Sequence, residues 1–518
     1  MVRNAYPLVF AALVLVTPLS PAQPSASFDV LIRNGRVMDG SGNPWLKGDI
    51  GIRGDRIAAV GRLAGATAPV LIDAADRLVT PGFIDVHSHA LEGLTRPDLR
   101  QGLPLLAQGV TTIVGNPDGG GSADLAAQRA RLEAGGIGPN VALLIGHGAV
   151  RTTVMGSENR APTADELQRM RDLVRRGMEQ GAFGLSSGLF YIPGSYAKTE
   201  EVISLAAVAG EFGGLYTSHV RDEGDYGAGV VASVDEVIRI AEEAHVIGIV
   251  THMKALGPDS WGLAATMIQH IDAARARGVQ VLADQYAYDA SSTSLRAALL
   301  PGGVPVPAPD DGALRAEVEP TVKENIRRRG GAGALVIASY APDHALEGRS
   351  LAQIAEARNV APERAALDLL ARGNPSIVSF NMTDRDIEAI MRQPWTMTSS
   401  DGGLVAMNEG KPHPRNYGAF ARKLAIYVRE RGTVSLESAI RSMTTLPGAV
   451  FGIKDRGAIR EGAFADIAVF DPANVRDRAT YADPHQLADG MSYVLVNGVV
   501  VVGDGKFTTA TPGRVLRR

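Results

Sequence analysis

A chain of 518 residues, 45% apolar and with a formal net charge of -4, has the composition of an ordinary globular protein and is long enough for one large catalytic domain with appendages. The slight acidity argues against a nucleic-acid partner, which wants a basic face. The absence of cysteine excludes disulfides, thiolate metal ligands, a cysteine nucleophile and a lipidated cysteine, so stability must come from the core alone.

The first residues read as a targeting signal. Arg3 gives a positive start, Leu8 to Val16 an apolar run too short to span a bilayer, and Ser20-Pro21-Ala22 small residues at a cleavage point. This predicts a signal peptide over 1–22 and a periplasmic or secreted mature protein. No later segment approaches the ~20 apolar residues of a membrane helix, so no membrane span is expected.

Residues 23–80 read as short strands joined by turns. Phe28-Asp-Val-Leu-Ile and Arg36-Val-Met flank Asn34-Gly35, a two-residue hairpin signal, and Ile50-Gly-Ile and Ile57-Ala-Ala-Val flank a turn at Gly54-Asp55.

Over 81–450 strand and helix alternate. Val141-Ala-Leu-Leu-Ile is a buried-strand run. Thr163 opens a helix with Glu166 as its reciprocal cap, and Leu167, Met170, Leu173 and Val174 follow at helical spacing. Ser233 and Glu236 repeat the cap signal before the strand Ile247-Gly-Ile-Val-Thr. Repeated units of this kind imply a parallel sheet, and their number favours a closed (β/α)8 barrel. The rhythm breaks over 292–333, where a Pro/Gly-rich stretch from Pro301 to Asp310 precedes a charged helix through Arg327. This reads as an insertion at the barrel mouth, either a lid or an inert decoration.

Strands return over 451–518. Ala465-Asp-Ile-Ala-Val-Phe is one, and Tyr493-Val-Leu-Val and Val499-Val-Val-Val flank Asn497-Gly498. Neither chain end has enough strands to bury two faces alone, so the two are expected to join as one small β-sandwich beside the barrel. The predicted fold class is therefore α/β: a TIM-like barrel, a sandwich built from both ends and an insertion late in the barrel.

Reactive side chains of such a barrel lie at the C-terminal ends of its strands. Phe83-Ile-Asp-Val-His87-Ser-His89 ends in two histidines spaced by two, which points both imidazoles to one side. Leu215-Tyr-Thr-Ser-His219 and Ile249-Val-Thr-His252 each end in one more. A lone histidine at a strand end is usually structural, but four in one barrel point to a metal, and imidazole is a natural zinc ligand. Met397-Thr-Ser-Ser-Asp401-Gly-Gly adds a carboxylate at the end of the last strand. Alone it would be an Asx-turn or helix cap; beside metal-activated water it reads as a general acid and base. His147 follows the third strand and is assigned a structural role ahead of a pocket role. His245, His270, His344 and His485 lack motif context and are read as surface or packing residues.

Pro81-Gly-Phe-Ile-Asp-Val-His87-Ser-His89 resembles the signature of the amidohydrolase superfamily. Gly184-Leu-Ser-Ser-Gly-Leu-Phe-Tyr191-Ile-Pro-Gly-Ser-Tyr and Tyr216-Thr-Ser-His219-Val-Arg-Asp-Glu223-Gly are more specific. With His413-Pro-Arg415 and Lys454-Asp-Arg-Gly-Ala-Ile-Arg-Glu-Gly-Ala-Phe-Ala-Asp466, they are similar to the D-aminoacylase, or N-acyl-D-amino-acid deacylase, branch. The resemblance covers nearly all of the chain after the signal. It implies the same barrel, sandwich and late insertion, and a zinc held tightly by His219 and His252. It also implies a second, weaker metal position at His87 and His89, a catalytic Asp401, and a substrate carboxylate held by Lys254 and Arg415. Tyr191 and Tyr286 match pocket tyrosines, with Tyr288 an alternative register for the second.

One departure stands out. Family members commonly carry a metal-binding cysteine after a Gly-Asn pair on the second strand. Here Gly115-Asn116 is followed by Pro117, which cannot ligate. Asp118 is the nearest substitute, as a zinc ligand or as a cap on the Gly119-Gly-Gly turn; Asn116 is a weaker candidate. No lysine ends the fourth strand to bridge two metals, so one firm zinc and one uncertain position are expected. The implied activity is zinc-dependent hydrolysis of N-acyl-D-amino acids. A dipeptidase of D-configured or unusual peptides presents a carboxylate beyond an amide in the same way. A cyclic-amide or lactone hydrolase is disfavoured by the missing lysine and by the Lys254/Arg415 pair, and a metal-free scaffold by the retention of four histidines and Asp401.

Overall fold

The computed structural model describes Met1 and residues 27–518; the expected signal peptide falls on residues outside them. Eight segments form the barrel: Phe83–Asp85, Val110–Gly115, Asn140–Leu143 continuing as Ile145–Gly146, Gly184–Gly188, Leu215–His219, Gly248–Val250, Val281–Gln285 and Thr396–Thr398. Each pairs in parallel with the next. The last meets the first just beyond their ends, where the Asp401 N–H donates to the His87 carbonyl at 2.9 Å and Gly402–Gly403 pairs in parallel with Ser88–His89.

The helices follow from their patterning. Thr163 and Glu166 cap Ala164–Glu179 reciprocally, and Met170 and Val174 turn into the layer between helices and strands. The second expected cap is different. The helix Val230–Ala244 begins after Gly229, three residues before Ser233. The Ser233 hydroxyl is taken by the Gly229 carbonyl and the Asp222 N–H, and Glu236 holds Arg221 and Thr199. Among the described residues no helix is long and apolar enough to cross a membrane.

The two chain ends join in one continuous nine-stranded sheet, where a small sandwich was expected. The junction is antiparallel, Ile467–Phe470 against Leu78–Pro81. Val30–Val37 forks, pairing in parallel with Val70–Asp73 along its first half and with Leu78–Pro81 at its end. Ile32, Ile50, Ile72, Val79, Ile467 and Leu495 fill the core of this layer. Asn34-Gly35 does not make the expected hairpin. It is a bulge within Val30–Val37, with Asn34 left-handed at φ 58°, because both halves of that strand pair with the single neighbour Leu46–Arg53. Gly35 is needed there, since a Cβ would lie 2.5 Å from Val79 Cγ2. Asn497-Gly498 does turn a hairpin, between Met491–Val496 and Val499–Gly503.

The excursion between the seventh and eighth barrel strands is longer than the 292–333 expected. Strands Ala290–Ser294, Leu335–Ser339 and Ser376–Phe380 form an antiparallel sheet covered by helices Gly312–Arg328, Leu351–Arg358 and Pro362–Arg372. Its own core includes Leu299, Val322, Leu335, Ile354 and Leu369. The later strands and helices keep the period of the barrel units, which hid the true extent in the sequence.

Candidate metal centre

The side chains singled out in the sequence converge at the C-terminal mouth of the barrel. His87 and His89 follow the first strand, Asp118 the second, His219 ends the fifth, and His252 and Asp401 follow the sixth and eighth. Asn116, Asp118, His252 and Asp401 all turn into the left-handed region, at φ 60°, 55°, 35° and 49°. Such conformations cost energy and persist where neighbours over-determine them. Asp284 does so for His252, accepting its N–H at 2.9 Å. Asp85 does so for both rims at once, accepting from the N–H groups of Ser400 at 2.9 Å and His87 at 3.3 Å. Gly188 lets the second loop press against the fourth strand; a Cβ there would stand 2.3 Å from the Asp118 carbonyl oxygen.

Asp118 joins two groups of ligand-type atoms, His87, His89, Asp118 and Asp401 on one side and Asp118, His219 and His252 on the other. Its Oδ1 lies 3.4 Å from His87 Nε2 and 3.6 Å from His252 Nε2, and its Oδ2 3.4 Å from His89 Nε2. Asp401 Oδ1 is 3.2 Å from His89 Nε2 and 3.6 Å from His87 Nε2. His219 Nδ1 and His252 Nε2 are 2.9 Å apart. Asn116 turns away, its side-chain amide bonded to Gln128 and the Leu144 carbonyl. The turn-cap alternative for Asp118 does not describe its side chain, which faces the histidines.

The donor set fits a cation. His87 Nε2, His219 Nε2 and Asp118 Oδ1 are buried without a hydrogen-bond partner among the described residues, an arrangement that is costly unless something charged sits between them. Burial alone would raise the carboxyl of Asp118, yet the charge of His87 and the close approach of the His252 and His89 imidazoles hold it well below the usual carboxylate range. Burial and the Arg415 guanidinium oppose each other at Asp401, and the cationic groups win, keeping it low. For His219, burial dominates and brings the imidazole down to about 4. Burial and Lys254 act to lower His252, but Asp401, Glu223 and Asp118 outweigh them and push it up to about 10.

Lys254 and Arg415 flank this group, each on a carboxylate. Lys254 Nζ bonds Glu223 and lies 2.7 Å from His252 Nδ1; Arg415 Nη1 is 2.7 Å from Asp401 Oδ2. Tyr286 lies between the two cations, its ring centroid 5.6 Å from Lys254 Nζ and 4.8 Å from Arg415 Cζ, and its hydroxyl has no partner among the described residues. Tyr288 is turned away, bonding the Pro414 carbonyl at 3.3 Å and Asp477 at 3.4 Å. Tyr191 packs its ring 4.6 Å from that of His219. His147 does not line the cavity; it is fully buried, on Glu201 at 2.9 Å in a cluster completed by Arg151. The fourth strand ends in Ser187-Gly188, with no lysine.

Glu223 was missed as a site residue, although it lies in the motif around His219. Its Oε1 is 3.0 Å from His252 Nδ1, so it grips the nitrogen of His252 opposite the one facing Asp118. Its spacing of four from His219, just past a strand end, was the available signal. The whole arrangement opens into a cavity of about 810 Å³ reached by the excursion, with Phe190, Tyr191, Ser292, Thr293, Arg329 and His413 in its walls.

The sequence profile of the amidohydrolase family matches residues 70–502. D-aminoacylase of Alcaligenes xylosoxydans xylosoxydans is 36% identical, the match covering 95% of this chain and 98% of that one. N-acyl-D-glutamate deacylase of the same organism is also 36% identical, over 95% of this chain and 96% of its own. The crystal structure of N-acyl-D-glutamate deacylase from Bordetella bronchiseptica, complexed with zinc and a phosphonate inhibitor, superposes with a TM-score of 0.82 at 35% identity, covering 95% of this chain and all of that one. Barrel, mouth and whole-length similarity agree: the chain belongs to the amidohydrolase family, in its D-aminoacylase branch.

Proposed function

We propose that this chain is a zinc-dependent hydrolase that cleaves the amide bond of N-acyl-D-amino acids, yielding a carboxylate and a free D-amino acid. The observation that carries the reading is Asp118 set between two histidine pairs, with Asp401 and its Arg415 partner on the rim of the same cavity. The whole-length similarity to deacylases, one of them solved with zinc, supports it.

His219, His252 and Asp118 would hold the tight zinc, and His87 and His89, with Asp401 beside them, a second and weaker position. Zinc bound there supplies Lewis-acid polarisation of the amide carbonyl and acidification of water. Asp401, held ionised by its cationic neighbours, takes a proton from the water that adds to the acyl carbon. As the C–N bond breaks, it returns that proton to the departing nitrogen. Lys254 and Arg415 receive the free carboxylate of the substrate, with Tyr191 as a wall and Tyr286 packed between the two cations. A carboxylate arriving at Arg415 competes with Asp401 for the same guanidinium, which couples binding to release of the base. Glu223 keeps His252 oriented.

The test is to strip metal with a chelator, add back zinc and follow amine release from N-acetyl-D-amino acids. Activity lost on stripping and regained in proportion to zinc supports the reading. Full activity in demonstrably metal-free protein refutes it. The N-terminal sequence further supports export to the periplasm or the medium, which cell fractionation tests: recovery of a full-length chain from the cytoplasm alone would refute export.

A further inference from the structure

The excursion carries three consecutive arginines, and they do not behave alike. Arg327 projects outward onto Asp259 and Glu324, and Arg328 is paired with Asp225 and Glu324. Arg329, at the end of the helix Gly312–Arg328, turns the other way into the wall of the cavity and is only 2% exposed. Among the described residues it has no carboxylate partner. Its Nε donates to the Tyr226 hydroxyl at 2.5 Å, and Nη1 is buried without any partner. Tyr226 passes its own proton to the Ala298 carbonyl at 3.1 Å, so this phenol is already committed.

A guanidinium carries five donors and a fixed charge, and burying it unpaired is costly. An arginine kept for packing alone would be expected to end on a carboxylate or a set of carbonyls. Arg329 instead lines the cavity that holds the metal-type cluster. The link to that cluster is aromatic: Tyr226 stacks edge-on to Phe190 at 5.6 Å, and Phe190 lies 5.8 Å from the His219 ring. The other two buried cations of the cavity, Lys254 and Arg415, already have Glu223 and Asp401 and serve the single carboxylate common to every N-acyl amino acid. Arg329 is thus a third cationic position lining the cavity, with a planar fork suited to a carboxylate. Ser292, Thr293 and Ser294 line the same cavity, and their hydroxyls can accept or donate around such a group.

We infer that Arg329 is a specificity-determining residue that receives a second carboxylate, so that the preferred substrates are N-acyl amino acids carrying two. This rests on the reading of the site as a deacylase. The second carboxylate has two chemical sources, an acidic amino-acid side chain or a dicarboxylic acyl group.

The experiment measures kcat/KM on two matched pairs, N-acetyl-D-glutamate against N-acetyl-D-glutamine and N-succinyl-D-leucine against N-butyryl-D-leucine, with wild type, Arg329→Lys and Arg329→Met. The expected result is that wild type favours the dicarboxylate of one pair by at least about tenfold, the scale of one charge-assisted contact. That ratio should collapse toward one in Arg329→Met and be partly kept in Arg329→Lys. Preference in the glutamate pair places the second carboxylate on the side chain, and preference in the succinyl pair places it on the acyl group. Equal rates within both pairs for wild type overturn the inference while leaving the deacylase reading intact, and need no variant to fold. A preference that survives Arg329→Met overturns it as well. Turnover of none of the four, with zinc bound, removes the deacylase reading itself.

Discussion

Asp118 Oδ1 stands 3.6 Å from His252 Nε2, and the same oxygen is 3.4 Å from His87 Nε2 on the opposite side of the mouth. One carboxylate just past the second strand thus occupies the place between the two histidine pairs. Asp118→Ala should therefore weaken the tight metal by at least the ~10–100-fold that loss of an outer-shell partner typically costs. Metal content after dialysis, measured by mass spectrometry, checks this; unchanged occupancy would move the ligand elsewhere.

Asp401→Asn tests the proton carrier. The variant keeps its shape and its contact with Arg415 but cannot take a proton, so kcat should fall by the ~10²–10⁴ typical of general acid–base groups while metal content stays near normal. Steady-state kinetics beside metal analysis separates the two effects. Most of the turnover retained in a metal-replete variant would exclude this role.

Glu223→Gln should act at one remove. The amide cannot hold the charge of Lys254 and offers His252 Nδ1 a weaker acceptor, so zinc affinity should drop by about 10–100-fold. Competition with a chromophoric chelator reads this directly. Affinity equal to wild type would leave Glu223 as a partner of Lys254 only.

Lys423 makes a prediction about stability. It is buried, bonds Thr398 at 2.8 Å and Ser442 at 2.9 Å, and has no carboxylate partner among the described residues. Burial lowers its ammonium to about 7. Between there and the ordinary lysine value of ~10.4, the unfolded chain binds a proton that the folded chain lacks. Stability should rise with pH across that window and be lowest below it. Lys423→Met should raise Tm at pH 6 and flatten the rise, as thermal melts from pH 6 to 9 would show; a lower Tm at pH 6 would mean that the two hydroxyl bonds outweigh the burial cost.

The barrel and most of its mouth were legible because apolar strands ending in polar residues carry their own signal. His87, His89, His219, His252 and Asp401 are all brought together. The reciprocal cap at Thr163 and the hairpin at Asn497-Gly498 depend on neighbours close in sequence and were equally readable. Asn34-Gly35 is the same dipeptide with a different outcome, since a bulge or a hairpin is decided by which distant strand pairs with it. Asp118 was ambiguous because a turn cap and a ligand look alike until the histidines of other strands are in place. Arg329 was invisible for a related reason: an arginine run reads as a solvated face, and only the fold turns one of the three inward.

The central claim is tested most directly by the initial rates of zinc-loaded protein, with a chelated control, on matched N-acetyl-D- and N-acetyl-L-amino acids. Chelator-sensitive release of the D-amino acids alone is the predicted result. No release from either series, with zinc demonstrably bound, would contradict the deacylase reading and remove Lys254 and Arg415 from their assigned roles.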